Sequence, residues 1–330
     1  MDIDLSDLPE LEARPYRGPS DHAAMTGLLN RWYRATGSGE VASVDELDHN
    51  YAHLENCDPA VDMVMIEDRS GRLVGYTRTD WWQVVDGERK YAVFAKVDPH
   101  WRDSRLVFAL LSAAERHNVG IATTHDVACP KVLEGWARDD HEQVMVAAYL
   151  ELGFAPVTYE AVMVRLDLDD IPDARTPEGV ETRPVETSHL RPIWEADKEA
   201  FRDHWGYSEP SEEDYQRFLE FPHRDESLWK VAWAGETVVG QVRSFINQAE
   251  NTELDQRRGW TEFISTHRDW RGRGVARALI CESLRELKSR GMTEAALGVH
   301  TENPTGAFSL YASLGYEVVE RSTTFQKPID

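Results

Sequence analysis

The chain has 330 residues, more than one hydrophobic core usually serves, and its 41% hydrophobic and 10% aromatic content is that of a globular protein. A formal net charge of −23 opposes binding to nucleic acid or to an anionic membrane surface. No apolar run approaches the ~20 residues of a membrane helix, and the acidic start MDIDLSDLPELEARPYRG is neither a secretion signal nor a transit peptide, so a cytoplasmic protein is expected. Cys57, Cys129 and Cys281 are far apart and odd in number, which fits reduced thiols and no metal site.

In the first half, AVFAKVDPHWRDSRLVFALLSAAERH (92–117) reads as an apolar strand, a Trp-Arg pair and an amphipathic helix, and AAYLELGF (147–154) follows. The stretch 166–185, rich in acids and with three prolines, reads as an exposed connection. It predicts domains at 1–168 and 179–330 joined by a linker at 169–178.

In the second half the spacing predicts a strand at 179–185, then a helix over 188–201 with Ser188 as its N-cap. A loop and a further helix follow at 202–221. Two strands at 227–246 turn at Ala234-Gly235-Glu236, and a fourth strand covers 259–267. The helix at 275–290 places Ala276, Leu279, Ile280, Leu284 and Leu287 on one face, suits its C-terminal dipole with Lys288 and Arg290, and closes at Gly291. A fifth strand at 294–299, a helix at 304–315 ended by Gly315 and closing strands complete the chain. The fold class is α+β, with mixed, mostly antiparallel sheets flanked by helices.

The halves resemble each other. Trp101-Arg102 matches Trp270-Arg271 and Tyr149 matches Tyr311, with 47 residues between Arg102 and Tyr149 and 40 between Arg271 and Tyr311. A period this long indicates a duplicated domain.

Within an acidic chain, RDWRGRGVARAL (268–279) is a positive island at the start of a helix. A turn entering a helix points unpaired N–H groups outward, the helix dipole adds positive charge, and glycine lets a ligand approach the backbone. Such a turn suits a phosphate or diphosphate. It matches neither the Walker loop nor the GxGxxG fingerprint.

At these residues the sequence resembles the GNAT superfamily of N-acetyltransferases, whose signature is Arg/Gln-x-x-Gly-x-Gly/Ala. Arg271, Gly274 and Ala276 match it, and ENPTGAFSLYASLGYE (302–317) is similar to the family's Asn…Tyr…Leu-Gly-aromatic segment. The resemblance implies two tandem GNAT-like domains and acetyl-CoA as co-substrate. It places the diphosphate on the backbone of Arg271, Gly272, Arg273, Gly274, Val275 and Ala276. The pantetheine arm falls to the strand backbone at Ile264, Ser265 and Thr266, and Asn303 lies near the cofactor.

An alkyl amine of pKa ~10.4 is largely protonated at neutral pH, so transfer to it calls for a base. Glu262 is the candidate, on a face shared with Ile264 and Thr266 by the period of two, with an ion pair to Arg243 as the structural alternative. Glu302, Asp203 and His204 are reserves. Tyr311 is the candidate acid for the departing thiolate, with a core aromatic as its alternative. A fourth-strand N–H near a splay or bulge would receive the oxyanion.

The first half lacks the glycines, carries Asp103 in their place and has Val93 where Glu262 stands. Catalysis is therefore expected in the second half alone. In AFRDHWGYSEP (200–210), Trp205 and Tyr207 suit stacking on a ligand and Asp203 an ammonium, or all three pack a lid. The expected partner is a small-molecule primary amine, with no nucleic acid and no membrane, and the chain is a monomer or homodimer. Two rivals are a silent acyl-CoA sensor and a transferase acting on protein amines.

Overall fold

Residues 1–102, 105–301 and 306–329 are described in a computed structural model, which divides into two units, Met1–Tyr159 with Arg321–Asp330 and Glu160–Glu320. In the first unit the chain runs β1 (Leu11–Arg14), α1 (His22–Thr36), α2 (Val44–Ala52), β2 (Met63–Asp68), β3 (Leu73–Arg78), β4 (Trp81–Gln83), β5 (Arg89–Ala92), β6 (Lys96–Val97), α3 (Leu106–Thr124), β7 (Lys131–Arg138), α4 (Gln143–Glu151) and the start of β8 (Ala155–Arg165). The order β1-β2-β3-β6 is antiparallel throughout, while β5 pairs parallel with β7. The apolar stripe of α3 supplies Leu106, Leu110, Leu111 and Ala114 to a core shared with Tyr91, Val93 and Tyr149.

The second unit holds the end of β8, then β9 (Glu181–Arg183), α5 (Leu190–Phe201), α6 (Glu212–Leu219), β10 (Lys230–Ala234), β11 (Thr237–Phe245), α7 (Gln248–Glu253), β12 (Arg258–Thr266), α8 (Val275–Ser289), β13 (Glu294–His300), α9 (Ala307–Ser313) and the start of β14 (Glu317–Pro328). Its strand order is β13-β12-β11-β10-β9, antiparallel except for the parallel pair β12/β13. The α+β class expected from the element pattern is what the chain adopts. Helix α8 lies close on this sheet because glycines stand beneath it. A Cβ at Gly259 would sit 2.5 Å from Leu287, and one at Gly240 would sit 2.6 Å from Val275. Each of the buried Leu279, Leu284 and Leu287 contributes about 1.5–3 kcal/mol by leaving water.

The division differs from the expected 168/179 boundaries because strands, not the proline-rich stretch, set it. Residues 160–165 of β8 pair with β13 in the second unit, and residues 322–328 of β14 pair with β7 in the first. Three local expectations also change. Ser188 lies inside a short 3-10 turn, Thr187–His189, and α5 begins at Leu190 without a side-chain cap. The buried face of α8 starts at Val275 and Ala278, with Ala276 only half-buried. Helix α7, capped by Asn247, stands in a stretch for which no element was expected.

Candidate functional site

The turn before α8 is built by two left-handed glycines. Gly272 has φ +72° and Gly274 φ +88°, a region an L side chain rarely adopts, and a Cβ on either would meet nothing within 4 Å. Gly274 is the N-cap. From Gly272 through Arg277 no backbone N–H has an acceptor among the described residues. These unpaired donors and the positive end of a 15-residue helix face open space. The two arginines are arranged differently from expectation. Arg271 turns back, donating from Nη1 to Asp203 at 2.8 Å, from Nη2 to the Ala200 carbonyl and from Nε to the Thr266 carbonyl. Its charge is spent on Asp203, whose carboxyl it holds below the usual range. Arg273 lies over the Trp270 ring, 5.0 Å from its centroid.

Strands β12 and β13 run together only from Arg258↔Glu294 to Trp260↔Ala296. Beyond that β12 continues with β11, β13 continues with β8, and a V-shaped gap opens between them. A bulge lies at its mouth. Gln241 opposes Ser265 and Arg243 opposes Glu262, so three steps along β12 match two along β11. Phe263 absorbs the extra residue at φ +50°. Directly opposed residues share a face, so Glu262 lies on the face of Ser265, and Thr266, opposite Gly240, lies on the other. This corrects the expected face of Glu262, Ile264 and Thr266, because a period of two does not survive a bulge.

Glu262 is half-buried and spans the gap, its Oε1 accepting from the Gly298 N–H at 2.7 Å. Burial pushes its carboxyl up to about 7, against the amides of Gly298 and Phe263, which pull down, and with the Glu160 charge, which pushes up. The Arg243 alternative does not hold, since that guanidinium pairs with Asp197 at 2.6 Å. Tyr311, on α9, is 6% exposed and its hydroxyl has no hydrogen-bond partner among the described residues. Burial first, then the Glu262 charge, raises its pKa, so it stays protonated. Ser265 is buried close to Asp197, whose carboxyl it draws down against the burial that raises it. Asn303 and the reserve Glu302 lie outside the described residues, as does Asp103.

Sequence reasoning missed Glu160 and His300. They oppose each other across β8 and β13 and pair at 2.9 Å, 140 residues apart in the chain, so no local signal joins them. His204 and Trp205 reach His300, each with ring centroids 6.2 Å away. Burial lowers the His204 pKa. Tyr207 donates to Glu209 instead of standing free.

The first unit supplies an internal comparison. Its parallel pair β5/β7 also ends early, at Ala92↔Glu134. There the fully buried Tyr149 donates its hydroxyl to the Val93 carbonyl at 2.6 Å, and a Cβ at Gly135 would fall 2.4 Å from that hydroxyl. The position of Glu262 is a valine, and the tyrosine plugs the gap.

Residues 190–316 match the acetyltransferase (GNAT) family model. Over 108 residues the chain is 31% identical to an acetyltransferase of Pectobacterium atrosepticum, covering 33% of this chain and 70% of that protein. The chain belongs to the GNAT acetyltransferase family. This GNAT protein is also 32% identical over 185 residues to a mycothiol acetyltransferase of Thermobispora bispora, spanning 55% of this chain and 61% of the relative. Two solved structures share the fold over nearly the whole length. A GCN5-related N-acetyltransferase from Sphaerobacter thermophilus has a TM-score of 0.71 at 24% identity, covering 97% of this chain and 96% of its own. A tandem GNAT protein from the clavulanic acid biosynthesis pathway has a TM-score of 0.66 at 15% identity, covering 97% and 99%. The tandem GNAT layout expected from the internal repeat is thus the layout of this chain. Among the described residues no cluster of His, Cys, Asp or Glu is arranged to hold a metal ion, and no helix is long and apolar enough to cross a membrane.

Proposed function

We propose that the second unit transfers an acetyl group from acetyl-CoA to a primary amine of a small molecule. The observation that carries this reading is the run of unpaired amides from Gly272 to Arg277 beside a strand gap that holds a carboxylate of pKa about 7. The backbone of residues 271–276 binds the coenzyme's diphosphate, and the unzipped edge of β12 at Ile264, Ser265 and Thr266 takes the pantetheine arm. Asn303 is assigned to the cofactor by its place in the family motif alone. Acetyl-CoA, when bound, supplies the acetyl thioester.

Glu262 takes a proton from the acceptor's ammonium, leaving a neutral amine. The amine nitrogen bonds the acyl carbon, the carbon–sulfur bond breaks, and the nitrogen's second proton passes to solvent, as does the one held on Glu262 before the next turnover. Tyr311 gives its proton to the departing sulfur and regains one from solvent. A group of pKa about 7 suits the first task, since half of it is ionised at neutral pH. We assign the oxyanion to a β12 backbone N–H next to the bulge, the Phe263 amide itself being turned to Glu262. We assign the first unit an architectural role, its gap being filled by Tyr149. The test is a screen of small amines that follows release of free CoA. Turnover with at least one amine, lost in Glu262→Gln, supports the reading. Acetyl-CoA binding without any turnover supports the silent sensor instead.

A further inference from the structure

Five aromatic rings stand on the sheet face that carries Glu262. Trp260 precedes Glu262 by two on β12, and Phe245 opposes Trp260 on β11. The rings of Trp260 and Phe245 stack at 6.1 Å with 9° between planes, and His223 stacks on Phe245 at 5.8 Å and 16°. Phe221 packs edge-on against Phe245 at 5.3 Å and Phe263 at 6.5 Å. Phe263 follows Glu262 directly and is 43% exposed, while the other four residues are half-buried. The left-handed bulge turns it onto this face, where Arg243 covers it from one side with its guanidinium 4.3 Å from the centroid.

We propose that this platform selects the acceptor, and that the acceptor is a primary amine carried on a flat aromatic body. This rests on the reading of Glu262 as the base. Stacked rings with nearly parallel planes offer faces to a planar ligand. Glu262 is flanked on this face by Trp260, two residues before it, and by Phe263 directly after it, which suits an amine held on a short arm. Putrescine carries a second ammonium in place of a ring and has no flat face to set on this surface, so diamines and polyamines are disfavoured despite the acidic chain.

Calorimetric titration of the CoA-loaded protein compares phenethylamine with cyclohexylethylamine, its saturated counterpart, and with putrescine. Phenethylamine is expected to bind about fivefold tighter than cyclohexylethylamine, the worth of one aromatic contact. Phe263→Leu and Phe245→Leu are each expected to erase that preference while leaving CoA affinity unchanged. Equal or tighter binding of cyclohexylethylamine or putrescine overturns the proposal, as does a preference that survives both variants. Rates of CoA release then separate the two readings. Putrescine acetylated without any aryl preference sinks the platform and leaves the transferase standing. Aryl preference without turnover on any amine does the reverse.

Discussion

Glu262 is placed where a carboxylate costs stability. Its pKa, raised from 4.5 to about 7 by desolvation, means the folded state holds a proton that the unfolded chain has lost between those values. Stability from this group is therefore highest below 4.5 and falls as pH rises towards 7. Glu262→Gln is expected to raise stability at pH 8 by on the order of 1 kcal/mol after discounting for its partial exposure, seen as a higher melting temperature, and to leave it unchanged at pH 4. The same substitution should lower turnover by about 10²–10⁴ and abolish the rise of kcat/KM through pH 7. A scan and a pH–rate profile check both. The two tyrosines give a matched pair. Tyr311→Phe removes a hydroxyl without a partner among the described residues and is expected to lower kcat more than acetyl-CoA affinity. Tyr149→Phe orphans the buried Val93 carbonyl, costing about 1–3 kcal/mol of stability with kcat unchanged. Much at this scale was legible: a carboxylate in an apolar strand, a tyrosine in a family segment. What was not legible depends on distant chain. Asp203 claims Arg271 from 68 residues away, Asp197 claims Arg243, and Gly298 reaches Glu262 only because two strands part.

The elements turn these residues into a site through two departures from regularity. At the start of α8, Gly274→Ala forces a Cβ into φ +88° and is expected to cost about 1–2 kcal/mol. Gly274→Glu bears the same backbone cost but adds a carboxylate in front of the free amides. Because nothing lies within 4 Å of its Cβ, this variant should fold and lose acetyl-CoA binding by more than about a hundredfold, while Gly274→Ala loses far less. Circular dichroism with calorimetry distinguishes the two. Glycines at the end of a strand, with arginines before a helix, made this turn readable from sequence. The bulge in β12 was not readable. Phe263 has no sequence mark of a left-handed residue, and its conformation is imposed by β11 running in register on both sides of it.

At the scale of the whole molecule, duplication was legible from the paired Trp-Arg and Tyr motifs, but the exchange of strands was not. The last ten residues belong to the first unit, where Phe325 is buried and stacks on Tyr149 at 5.2 Å. Phe325→Ala is expected to destabilise the first unit by about 3–5 kcal/mol, read as faster amide exchange in β7, though it lies 166 residues beyond Tyr159, where the rest of that unit ends. The proline-rich stretch misled because composition reports exposure and not pairing. The central claim is that one unit alone binds the coenzyme, through its glycine turn. Titration of acetyl-CoA into the full chain tests it most directly, with Gly274→Glu and Arg105→Glu, the exposed N-cap of α3 in the first unit, as variants. One site per chain, lost in Gly274→Glu and kept in Arg105→Glu, is the expected result. Two sites, or a single site that survives Gly274→Glu and disappears with Arg105→Glu, would contradict it.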